Sequence, residues 1–120
     1  MLTVPVAPDP SWPVDAQYCF RVEDDEGGML APRGSIVHCV DVEKARVQLR
    51  AGDTCIVERH RDGLVERTIK MLVAGKSGGL EALPPGLQPD GVRKAIPVGG
   101  DKARVTALVA YVQRRVDRGS

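Results

Sequence analysis

Two runs of alternating apolar and polar residues, 54–59 and 64–73, flank the dipeptide Asp62-Gly63. A two-residue hairpin turn needs positive φ at both central positions, which Gly adopts freely and Asp tolerates, so Asp-Gly between alternating runs predicts an antiparallel hairpin. The turn Ala51-Gly52-Asp53 leads into the first run. The chain has nine prolines and thirteen glycines in all, and those outside this region divide it into short apolar pieces. Residues 18–22, 35–40, 80–83 and 92–98 read as further short strands, and residues 24–28 and 75–79 as loops. Residues 41–50 show no clear period. The expected fold is mainly β: one domain in the form of a partly open antiparallel β-barrel or sandwich, with its hairpin at 54–73.

The two ends differ from this middle. Residues 1–17 carry Pro5, Pro8, Pro10 and Pro13, which oppose a helix and favour an extended arm or linker remnant ahead of a domain spanning 18–120. At the other end, Val105, Leu108, Val109, Val112 and Val116 share one helical face, while Val105, Ala107, Val109 and Tyr111 alternate as in a strand. Periodicity alone leaves both open for residues 103–116.

Composition removes several functions. A net charge of +1 provides no basic sheath for nucleic acid. Trp12, Tyr18, Phe20 and Tyr111 are the only aromatic residues, too few for base-stacking platforms, so the core is built from Val, Leu, Ile and Ala. No apolar run approaches a membrane span and the first residues lack a signal-peptide pattern, so a cytoplasmic protein that does not meet the membrane is the expectation. Cys19, Cys39 and Cys55 each lie within an apolar run, as reduced core thiols do. Cys39 with His38, or Cys55 with His60, lacks a recognised metal-ligand spacing, and no metal or cofactor is expected.

The order of features in residues 51–70, AGDTCIVERHRDGLVERTIK, resembles the LexA-like serine peptidase family, which includes LexA, lambda-type phage repressors and UmuD-type polymerase subunits. Leu80-Glu81-Ala82-Leu83-Pro84 resembles the short strand that follows in that family. Residues 105–115 resemble its closing strand, and residues 20–39 the segment that carries its nucleophile. The likeness covers residues 18–116 and implies a LexA-like repressor C-terminal domain whose last segment is a strand.

That family works with a Ser-Lys dyad, in which a neutral lysine in an apolar pocket takes the serine proton. The resemblance places Lys70 at the general-base position. It places Gly28 at the nucleophile position, aligning Met29 with the methionine of the Gly-Asp-Ser-Met loop, and a glycine has no side chain with which to attack. The Ala-Gly or Cys-Gly bond that such proteins cleave is also absent from residues 1–17. The resemblance therefore implies a dimerisation and regulatory domain of a bacterial or phage repressor that does not cleave itself.

The homodimer is expected to use Val105, Ala107, Val109 and Tyr111, since residues 103–116 are apolar on both alternating faces. DNA would be reached only through a separate helix-turn-helix domain, for which this chain has no room. A regulatory protein such as RecA or an antirepressor would be a further partner. Arg114, Arg115 and Arg118 form a modest basic end that reads as solvated charge. Two other readings follow from the same residues. One is a Ser-Lys peptidase inactivated at position 28 or using another hydroxyl such as Ser35. The other is a small β-barrel binding module unrelated to repressors.

Overall fold

The computed structural model describes residues 2–4, 7–24, 28, 30–76, 78–84, 95–99 and 103–114. They form a single antiparallel sheet in the order β1-β2-β3-β8-β4-β5-β6-β7. The strands are β1 (Leu2–Val4), β2 (Gln17–Arg21), β3 (Ile36–Asp41), β4 (Thr54–Arg61), β5 (Leu64–Ala74), β6 (Leu80–Leu83), β7 (Ile96–Pro97) and β8 (Ala103–Gln113). The chain is mainly β, as expected, and the sheet is open: among the described residues its end strands β1 and β7 do not pair with each other. None of the described residues forms a helix long and apolar enough to cross a membrane.

The hairpin lies where the sequence puts it. Strands β4 and β5 pair without interruption from Thr54↔Met71 to Arg61↔Leu64. Asp62 and Gly63 close the turn with φ of 51° and 77°, both positive, as the right-handed strand twist requires.

The amino-terminal segment differs from an extended arm. Leu2–Val4 pairs with β2 through Leu2↔Arg21, Thr3↔Phe20 and Val4↔Cys19, and Val14–Ala16 forms one 3-10 turn. Proline spacing explains both. Residues 2–4 precede Pro5 and keep their N–H groups for pairing, and Pro13 sits just before the turn, where a missing N–H costs nothing. Of the strand expected over 92–98, only Ile96–Pro97 is formed among the described residues; residues 92–94 lie outside them.

Residues 103–113 are a strand, and β8 stands at the centre of the sheet. It pairs with β3 through residues 107–113 and with β4 through residues 103–108. Each pairing carries a bulge. His38 opposes Tyr111 while Cys39 opposes Val109, so Ala110 is the extra residue on one side. Ile56 opposes Ala107 while Val57 opposes Val105, so Thr106 is the extra residue on the other. A bulge adds one residue to one strand and reverses the face of everything beyond it.

The core is consequently double. One cluster joins Phe20, Val22, Ala31, Val37, Cys39, Ile56, Ile69 and Ala107, with Tyr18, Val109 and Val112 at its margin. The other joins Cys55, Val57, Leu72, Ala82 and Ala103, with Leu49, Leu80, Ile96, Val98, Val105 and Leu108 against it. Ile56 lies between Cys55 and Val57 on β4, so strand alternation puts the two clusters on opposite faces. Ile56 and Leu72 are fully buried, and each such side chain contributes about 2–3 kcal/mol by leaving water.

Candidate functional site

Lys70 and Gly28, the residues matched to the dyad, come from different parts of the sheet. Lys70 is half-buried on β5 opposite Cys55. The pairing of β4 with β5 has no bulge, so Lys70 is turned to the same face as Thr68 and Leu72 and away from Ile69. Ile69 belongs to the first apolar cluster, as do Val22 and Ala31, which bracket the β2–β3 connection containing Gly28. The buried flanks of that connection and the Lys70 side chain thus lie toward different faces of β5. Gly28 itself has φ of 56°, in the left-handed region that L side chains adopt at a cost. Met29, used for the alignment, lies outside the described residues. Ser35, the other hydroxyl considered, is buried and starts the approach to β3.

The residues expected at a dimer interface have partners within the chain. Ala107 and Val109 pack on the first cluster and Val105 on the second, and Tyr111 stacks on His38 with ring centroids 4.4 Å apart. Apolar character on both faces of β8 is accounted for by its central position, with a core on each side. What β8 leaves open is backbone. Residues 109–113 pair with β3 on one side and, among the described residues, with no strand on the other.

A charged row crosses the sheet at one end of the first cluster. Glu58 on β4 is opposite Arg67 on β5 and Arg104 on β8. Arg67 Nε donates to Glu58 Oε2 at 3.1 Å, His60 Nε2 lies 3.1 Å from Oε1, and Arg104 Nε is 3.8 Å from Oε1. The Arg67 hydrogen bond, with help from His60 and Arg104, holds the Glu58 carboxyl below its ordinary value. Tyr18, Phe20, Asp41 and Thr106 complete a pocket of about 360 Å³ over this row. Its one buried acid is matched by cations from both neighbouring strands, an arrangement that satisfies the carboxylate and presents a polar surface.

On the opposite face of β2 and β3 a second polar group is almost wholly buried. Cys19 and His38 are register partners and are 3% and 2% exposed. The Gln17 side chain fixes their protons. Its Nε2 donates to the carbonyls of Asp9 and Trp12 at 2.8 and 2.9 Å, so its Oε1 is the acceptor. That oxygen takes the Asp9 N–H at 2.7 Å and His38 Nε2–H at 2.8 Å. His38 Nδ1 is left as a bare acceptor, 3.2 Å from Cys19 Sγ.

The sequence offers Cys39, the chain neighbour of His38, only as a metal pair without a recognised ligand spacing. Strand alternation sends Cys39 to the first cluster, and pairing brings Cys19 to the histidine instead. Nothing in spacing along the chain signals a contact nineteen residues apart; only the β2–β3 register does. Cys39 and Cys55 are both pushed up to about 12, chiefly by burial. Among the described residues no group of three His, Cys, Asp or Glu could hold a metal ion.

Of the basic end, Arg114 lines a second pocket of about 460 Å³ with Arg21, Gly34, Ile36 and Gln113, and Arg115 and Arg118 lie outside the described residues. No protein-family model, curated protein or solved structure matches this chain.

Proposed function

We propose that this chain is a self-associating regulatory domain of a LexA-like transcriptional repressor that has lost self-cleavage. The family rests on the order of residues 51–70, and the lost chemistry on Gly28, which aligns with the nucleophile and has no side chain with which to attack. The observation that carries association is the stretch of β8 that no described strand pairs on the β4 side. Among the described residues, 109–113 have no strand partner on the β4 side, where half-buried Val109, Ala110, Tyr111 and Val112 lie. A second copy arriving antiparallel across a twofold axis would pair this run with itself. The outer edges of the sheet suit this less well: β1 has three residues, and β7 has two, one of them proline. Two associated domains would set the spacing of two DNA-binding heads, each a separate helix-turn-helix domain, and a regulatory protein such as RecA or an antirepressor would act on the pair.

Sedimentation at tens of micromolar is expected to give a dimer, and Ala110→Glu a folded monomer. Ala110 is the bulged residue and belongs to neither apolar cluster among the described residues, so the charge is placed on the edge without opening a core. A wild-type monomer at that concentration rejects the association. Prolonged incubation at alkaline pH, where a dyad lysine would lose its proton, is expected to leave the chain intact. Two fragments on a gel would overturn the lost chemistry.

A further inference from the structure

Three free thiols are buried in this chain, and only one of them has a base. Cys19 Sγ lies 3.2 Å from His38 Nδ1, and the other ring nitrogen is held at 2.8 Å by Gln17 Oε1. A nucleophile within hydrogen-bond reach of a base, the base in turn oriented by a third group, is the arrangement that activates a thiol. Cys39 and Cys55 instead pack in the apolar clusters. Burial raises all three thiols above their ordinary value, so exposure and a proton acceptor decide which one reacts.

The segment bonded to Gln17, beside the Cys-His pair, is weakly held. Of residues 7–16 only Ala16 is buried, and Val14 is 69% exposed. The loop from Asp9 to Pro13 closes on the sheet through the Gln17 amide, the same group that orients His38. A segment with one buried side chain and a few hydrogen bonds opens locally at far lower cost than the sheet does. The loop bonded to Gln17, and through Gln17 to His38, can therefore open while the sheet stays paired.

We propose that Cys19 is a modification site for small hydroperoxides, with His38 as its base and the loop from Asp9 to Pro13 as its cover. The sulfur attacks one peroxide oxygen, forming an S–O bond as the O–O bond breaks. The thiol proton passes to His38 Nδ1 and from there to the leaving hydroxide or alkoxide, which departs as water or alcohol. Cys19 ends as a sulfenic acid, oxidised by two electrons, and the peroxide is reduced by two.

The test is to expose the folded protein to hydrogen peroxide, trap sulfenic acid with dimedone, and map the label by mass spectrometry. Cys19 is expected to label first, well ahead of Cys39 and Cys55. His38→Phe, which keeps a ring against Tyr111 and removes the base, is expected to slow Cys19 labelling at least about tenfold. Asp9→Pro removes the N–H that Gln17 accepts and leaves Gln17 and His38 in place. It also removes the carboxylate that accepts the Ser11 N–H, and the loss of these two hydrogen bonds is expected to speed Cys19 labelling at least about fivefold through loop opening. Equal labelling of the three thiols, no label on Cys19, or a Cys19 rate unchanged in folded His38→Phe would overturn the proposal and leave His38 a structural hydrogen-bond partner. If His38→Phe does not fold, the wild-type order and the Asp9→Pro rate decide the question without it.

Discussion

Thr68 Oγ1 is buried and has no hydrogen-bond partner among the described residues, on a residue 6% exposed. A hydroxyl taken out of water without a partner costs about 1–3 kcal/mol, and valine has the same shape without that cost. Thr68→Val is therefore expected to stabilise the fold by about 1 kcal/mol in urea denaturation, and a loss of stability would show that the hydroxyl has a partner in solution. Alternation along β5 puts Thr68 on the face of Lys70, but no sequence pattern shows that its hydroxyl is left without a partner. At Gly28 the lesson runs the other way. The missing side chain was plain from the sequence, whereas the positive φ that makes a serine there costly is a backbone fact. Gly28→Ser is expected to lose about 1 kcal/mol for that reason, measured by the same denaturation.

Among the elements, the β4–β5 hairpin was legible because turn chemistry and alternation agree over many residues, and no tertiary contact overrides them. Strand β8 was not legible from periodicity, and its two bulges explain why. An unbroken strand with one buried face alternates throughout. Here Thr106 and Ala110 each shift the phase, so Val105, Leu108, Val109 and Val112 fall at intervals of three, one and three and imitate a helix. The charged row on β4, β5 and β8 was hidden for a related reason: Glu58 meets Arg67 and Arg104 only once the register is set. This row carries a pH dependence of definite sign. Because the Glu58 carboxyl titrates lower in the folded chain than its ordinary 4.5, its contribution is complete above that value and is lost as pH falls through the folded one. As pH falls below 4.5, the wild type is expected to lose urea resistance more steeply than Glu58→Gln; equal slopes in the two proteins would show that the row does not stabilise the fold.

At the scale of the whole molecule, two apolar clusters lie on opposite faces of one sheet and share the strands β4, β5 and β8. Sharing strands makes the halves depend on each other: if β8 leaves, both cores open. The chain is therefore expected to unfold in one cooperative step, with circular dichroism and size-exclusion elution giving coincident urea curves. Side chains on the two faces do not touch, however, so their energies should be nearly independent. Leu72→Ala in the second cluster is expected to cost about 3 kcal/mol and Ile56→Val in the first about 1 kcal/mol. The double variant should then fall within about 0.5 kcal/mol of the sum. A second transition in Leu72→Ala, with the first cluster still folded, would show that β8 does not couple the halves. A coupling well above that margin in a single transition would mean instead that strain passes through the β4 backbone from one face to the other.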